Sequence, residues 1–315
     1  MTADRFTTPR ASKEVDGSMR RPVLEDPPYE VDRSPVHGIW ALTNRELKKW
    51  YKAPFILAIS LIQPLIWLAL FGKALNIGAL FTGSSFNIPG LNIPQQVLDN
   101  LANTMMQTTF GTSDYFSFLA VGMLSFITLF TAMFTGMSIV WDRRFGILNK
   151  LLSTPISRSA IPVSKVLNAS VRAIIQAVVV LIIAILLGLN ISNISVLGIA
   201  GTFVALFLMT AGFASLFVTL ALRATSWETQ MAMMNLLNLP LLFASNAMFP
   251  VSFMPSWLQP VVRINPVSYA VDISRQLLLG SSGMASLGFE FLYLGAFAVI
   301  MATIGTVLSW RLLSR

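Results

Sequence analysis

No cysteine occurs among the 315 residues, and histidine occurs once, at His37. The first absence excludes a disulfide framework and thiolate metal sites; the second leaves too little for a zinc centre or histidine-based acid–base chemistry. Charge is scarce as well. Only 11% of the residues are Asp, Glu, Lys or Arg, against 55% hydrophobic, a balance that soluble domains of this length do not approach. A membrane-embedded hydrolase or transferase needs His, Asp, Glu or Cys clustered at membrane depth, and the apolar runs offer almost none. No Gly-x4-Gly-Lys-Ser/Thr loop occurs either, so the chain lacks the phosphate cradle of an ATPase. No metal and no cofactor are expected in this chain.

What is present is apolar sequence in long runs. A bilayer core about 30 Å thick needs roughly 20 mostly apolar residues per helix, and six segments qualify: 54–75, 115–140, 166–189, 196–222, 229–249 and 289–310. The second and fourth carry no charge at all. The fifth holds Asn235, Asn238, Pro240 and Asn246, polar groups that are expensive against lipid, so this helix should face protein or a cavity. With Met234 it is the candidate pathway-lining segment.

The net charge of +8 would suggest nucleic acid in a soluble chain. Here the basic residues gather at the ends of apolar runs, as the positive-inside rule requires, and nucleic-acid binding is not inferred. Arg45, Lys48, Lys49 and Lys52 precede the first span, Arg223 follows the fourth, and Arg311 and Arg315 follow the sixth. These flanks place both termini in the cytoplasm of a multi-pass cell-membrane protein; Lys73, Arg263 and Arg275 dissent. The fold class is all-α. Residues 1–38, polar and mixing six basic with seven acidic residues, are expected to be a disordered cytoplasmic tail, and 39–315 the membrane domain.

Two segments should lie on the membrane rather than across it. Between Trp40 and Lys52 apolar and basic residues separate at helical spacing, giving an interfacial helix. Met248–Gly280 has too many prolines for one span and should dip into the outer leaflet and return. Pro255 can open one short helix; Asn265 as cap and Pro266 at the first position can open another that Gly280 ends.

The connector from Trp141 to Lys165 is basic and helix-forming, with Arg143, Arg144, Lys150, Arg158 and Lys165. Phe145, Leu148, Leu151 and Leu152 fall at i, i+3, i+6 and i+7, an apolar face suited to a groove, and Pro155 ends the helix. Anionic lipid or a protein partner would each suit such a surface.

Asp142–Ala177, with its acidic-basic pair, Gly146, Leu151-Leu152, Pro155-x-Ser157-Arg158, Lys165 and Gln176, resembles the transmembrane subunit of ABC-2 type transporters of the daunorubicin-resistance and Nod-factor export type. Ser164 replaces the usual glycine. A second block is similar to the same family through Phe249, Pro250, Pro255, Leu258, Asn265, Pro266, Tyr269, Asp272 and Arg275. Many relatives carry glutamate where Arg144 stands and an acid near Asn149, so this connector is unusually basic. The resemblance implies an export permease that dimerises with a second permease copy and sits in membrane lipid. A cytoplasmic ABC ATPase, holding the ATP and magnesium, would dock on the coupling helix through Asp142, Arg143, Arg144, Phe145, Gly146, Leu148, Lys150, Leu151, Leu152, Pro155 and Arg158. Phe249, Pro250, Asn265, Pro266, Tyr269, Asp272 and Arg275 become outer-gate candidates. The alternative is a permease-like subunit with a mechanical or regulatory role and no substrate.

Several residues have a plain reading beside a functional one. Arg172 contacts substrate or a neighbouring helix, or snorkels to the interface. Asp272 and Arg275 gate or simply stabilise a helix at i, i+3. Glu290 binds a cation or proton or is an interfacial carboxylate; Met231, Met233, Met234 and Met248 offer a pliable surface or ordinary packing. Asn190-Ile-Ser192 and Asn193-Ile-Ser195 are glycosylation sequons. Ala132 with Gly136, and Gly201 with Ala205, suit either a dimer seam or packing within one subunit.

Overall fold

The long charge-free runs become long helices. The computed structural model describes residues 35–70, 95–112, 114–154, 156–189, 195–224 and 226–313, and among them there are eleven α-helices and no strand. They are α1 (Pro35–Tyr51), α2 (Pro54–Ala69), α3 (Gln95–Phe110), α4 (Tyr115–Arg144), α5 (Ile147–Leu152), α6 (Ala160–Leu186), α7 (Val196–Arg223), α8 (Trp227–Phe243), α9 (Gln259–Ile264), α10 (Pro266–Leu279) and α11 (Leu287–Leu313). Most of the tail at 1–38, with Lys73, Pro155, Asn190, Asn193 and Arg315, lies outside the described residues.

Four helices, α4, α6, α7 and α11, are long and apolar enough to cross a bilayer. Two of them start or stop where side chains supply the free backbone groups. Asp114 accepts from the Ser117 amide at the head of α4, Ser195 from Gly198 at the head of α7, and Arg143 donates to the carbonyls of Leu222 and Ala224 at the tail of α7. Helix α4 is the central column, packed against α7, α6, α10, α8 and α2, and its sequence explains why: it is apolar on every face and buried nearly throughout. By contrast α11 keeps Leu292, Val299, Ile300 and Ile304 outward.

The two weaker span candidates are shorter than their apolar runs suggest. Helix α2 has 16 residues, and 71–94, where the expected span ends, lie outside the described residues. Helix α8 has 17 and stops at Phe243, not 249. Its last carbonyls, Leu241 and Ala244, are taken by the Asn265 side-chain amide, and the following carbonyls of Asn246 and Ala247 by Arg275. Backbone that leaves the helix there finds donors, so it does not need to continue as helix. Between the first two span candidates, residues 95–110 form the helix α3.

The small-residue pairs are spent inside one subunit. A Cβ on Gly136 would collide with the Phe217 carbonyl on α7 and the Gln230 side chain on α8, and one on Gly201 with Leu277 on α10. Those close approaches settle the choice left open for both pairs in favour of internal packing.

Candidate functional site

Between α4 and α6 the chain makes a sharp return. Gly146 has φ of 69°, the left-handed region where an added Cβ is strained, and it separates the end of α4 from the six-residue α5. Phe145 therefore sits on the turn rather than on the short helix, and it is 71% exposed. Leu148 and Leu151 face the other way, at 5% and 8% exposed, packed with Leu42 of α1 and Ala160 and Ile161 of α6. This corrects the reading of Phe145, Leu148, Leu151 and Leu152 as one partner-facing stripe. Leu148 and Leu151 are the base; Arg144, Phe145, Asn149 and Lys150 are the exposed surface, with half-buried Leu152 at its edge. Trp141, partly exposed, stacks on Trp227 of α8 with ring centroids 5.6 Å apart.

Beneath that surface lies a buried charge cluster. Lys165 Nζ lies 2.6 Å from Asp142 Oδ2 and 3.4 Å from Glu46 Oε2. One contact per helix joins α1, α4 and α6. The ammonium is in charge contact without a well-aligned hydrogen bond. Arg45 and Lys49 also reach Glu46, at 2.8 and 3.2 Å. Burial acts to raise the Glu46 carboxyl, but Lys165, Arg45 and Lys49 outweigh it and hold it at about 2. Asp142 is thus committed inward and is not a contact offered to a partner. Lys165, read from sequence as one more cytoplasmic cation, is buried. Arg172, one of whose readings was an interfacial snorkel, lies 5.3 Å above the Trp50 ring and fastens α6 to α1 a second time. Sequence reasoning missed Glu46; its only signal was an acid standing alone in a basic stretch.

At the opposite end of α4, the outer-gate candidates partly converge. Arg275 is 4% exposed and donates to the backbone carbonyls of Phe118, Asn246 and Ala247, with its guanidinium 3.5 Å from the Phe118 ring centroid. Asp272 accepts from the Asn246 amide and from the Met284 N–H. These two are not simply a helix-stabilising pair: Arg275 holds α4 and the backbone after α8, and Asp272 holds the Asn246 side chain and the Met284 N–H. Asn265 caps two helices at once, donating to the end of α8 and accepting from the Val267 amide at the start of α10, where Pro266 stands first and Gly280 closes the helix. Tyr269 donates to the Arg263 carbonyl and packs on Tyr293. Pro250 is buried nearby in sequence while Phe249 is exposed. Pro255 opens a turn, and the helix itself starts at Gln259. Glu290 is 0% exposed, held by Gln276 and the Ala285 N–H.

The four pathway candidates do not share one face. Asn235 is exposed on α8, Met234 and Asn238 are buried, and Asn246 lies beyond the helix in the Arg275 cluster. A further polar contact links three helices: Thr131 of α4 donates to Gln176 of α6, whose amide donates to Ser60 of α2 at 2.7 Å.

The family model of the ABC-2 type transporter matches residues 37–279. The ycf38 protein of Cyanophora paradoxa, provisionally named a transport permease, is 30% identical over 272 residues, 84% of either chain. The daunorubicin resistance ABC transporter permease protein DrrB1 of Streptomyces coeruleorubidus is 25% identical over 177 residues, 56% of this chain and 62% of that one. Nodulation protein J of Rhizobium meliloti is 34% identical over 99 residues, 31% of this chain and 37% of its own.

Proposed function

We propose, on the premise that this chain belongs to the ABC-2 type transporter family, that it is the permease subunit of an ATP-driven exporter and takes its energy through the turn at Arg144–Lys150. A separate cytoplasmic ATPase binds ATP and magnesium and seats on Arg144, Phe145 and Lys150. The observation that carries this reading is a large aromatic, Phe145, left exposed on a turn whose underside is fixed on three helices. An exposed aromatic flanked by cations is a fitting anchor for a partner groove with acidic edges.

The base decides where a push goes. Because Lys165 joins α1, α4 and α6, displacement of the turn moves the ends of all three rather than bending one. Helix α4 then carries it along its length to the Arg275 cluster; Phe118 and Asp142 are about 36 Å apart along the axis. Thr131, Gln176 and Ser60 extend the movement to α2 at mid-depth. The permease works with a second copy in membrane lipid, both termini cytoplasmic, and moves an amphipathic drug, lipid or lipid-linked saccharide outward. Asn235, exposed on α8, contributes to the pathway. Its relatives named for daunorubicin resistance and nodulation support a cargo of that kind. The chain performs no covalent chemistry.

The test is co-purification of the full chain with its ATPase. Charge reversal at two exposed cations, Arg144→Glu with Lys150→Glu, is expected to weaken association at least tenfold while the chain stays folded. Equal recovery of the ATPase with wild type and variant would place the docking surface elsewhere.

A further inference from the structure

Helices α7 and α11 come close at Gly305, where a Cβ would lie 3.1 Å from the Thr219 hydroxyl and 3.2 Å from the Ser215 carbonyl. Beside that contact the two helices part into an open groove of about 160 Å³. Its walls are apolar, among them Leu216 and Leu220 from α7 and Ile304 and Leu308 from α11, and its one charged lining residue is Arg223 in the last turn of α7. The Thr219 hydroxyl is spent on the Ser215 carbonyl. A smaller notch on the other side of Gly305, about 70 Å³, has no charged lining residue.

Arg223 is exposed and makes no ion pair or hydrogen bond to protein among the described residues. The α7 end where it sits already has its carbonyls capped by Arg143. Glu228, the acid nearest in sequence, does not pair with it. The groove continues onto the outward apolar stripe of α11, where Val299, Ile300 and Ile304 are exposed, and Trp310 stands exposed at the same end as Arg223. An unpaired guanidinium and an exposed tryptophan at the end of a membrane helix mark the headgroup level, and an apolar furrow running inward from them has the shape of a lipid with its tail down.

We propose that this groove binds one acyl chain of an anionic phospholipid whose phosphate rests on Arg223. The occupant follows from charge: the furrow alone would take any alkyl chain, while the unpaired Arg223 selects a net negative head. The site is independent of the ATPase-docking turn and requires only that α7 and α11 cross the bilayer.

The full chain, purified and reincorporated in membranes of equal phosphatidylglycerol and phosphatidylcholine, is stripped gently and its retained lipid quantified by mass spectrometry. Phosphatidylglycerol should be retained in excess. Arg223→Gln should reduce that excess about fivefold, the factor for one basic residue near a membrane surface, and Leu308→Trp, which fills the groove and leaves the charge, should reduce it as well. Arg263→Gln should change nothing. Thermal unfolding midpoints equal to wild type establish that both variants are folded. An unchanged ratio in Arg223→Gln overturns the proposal. So does unchanged retention in Leu308→Trp, which would mean a headgroup contact without a seated chain. Efficient crosslinking between copies of a Leu308→Cys variant, clean because the chain has no cysteine, would show the groove covered by protein and overturn it too.

Discussion

Two clusters of buried charge sit at opposite ends of α4, and they are made of different materials. Around Arg275 the partners are backbone, the carbonyls of Phe118, Asn246 and Ala247; Asn265 serves the adjacent Ala244 carbonyl, and Asp272 takes the Asn246 side-chain amide and the Met284 N–H. Around Lys165 the partners are side chains on separate helices, Asp142 and Glu46. A guanidinium that satisfies the buried carbonyls of Asn246 and Ala247 is part of the fold, because that irregular backbone has no helical donor. A lysine between two carboxylates joins helices that are each complete without it. The first cluster fixes the bundle; under the proposed function the second transmits force through it.

The sharpest way to break the contrast is Arg275→Met. It strands the buried carbonyls of Asn246 and Ala247 and removes the cation acting on buried Asp272, and should cost about 5 kcal/mol or more, so that little folded protein is recovered. Arg275→Lys should fare little better, since one ammonium cannot match the planar fork. Yield and thermal unfolding in detergent measure both. Lys165→Met, at the other cluster, should cost about 3 kcal/mol. Asp142→Asn added to it should restore most of that loss, which nothing simple restores at Arg275. If Arg275→Met were the milder of the two, the assignment of roles would be reversed.

A pH scan sharpens the difference further. The folded Glu46 carboxyl titrates near 2 against 4.5 unperturbed. Its contribution is therefore complete above about pH 4.5 and is lost as pH falls towards 2. Because Arg45 and Lys49 are partly in solvent, roughly 1–2 kcal/mol is the expected size after screening. Unfolding midpoints between pH 6 and 3 should fall in wild type and fall less in Glu46→Gln. Equal slopes would contradict the position given to Glu46.

How much of this was legible depended on range. The charge-free runs at 115–140 and 196–222 needed no partner to be read, and α4 and α7 contain them. Asn265, Pro266 and Gly280 obeyed local capping grammar, and α10 starts and ends on them. The end of α8 was not readable, because the amide that caps its carbonyls belongs to Asn265, more than twenty residues later. Glu46 and Lys165 were hidden for the same reason, at a separation of over a hundred residues. The period of Phe145, Leu148 and Leu151 told which residues align, but not which neighbour covers them; Leu42 and Ile161 do. Gly146, in turn, broke the helix that the period assumed.

The smallest expected change in stability is at Phe145, and it gives the most direct test. Phe145→Cys, the one thiol in an otherwise cysteine-free chain, should leave the unfolding midpoint within about 0.5 kcal/mol of wild type. In inside-out vesicles it should react rapidly with a membrane-impermeant maleimide and be protected when the ATPase is bound. In right-side-out vesicles it should not react. Labelling from the outside, or labelling at the same rate with and without bound ATPase, would contradict the account that this turn receives the driving subunit.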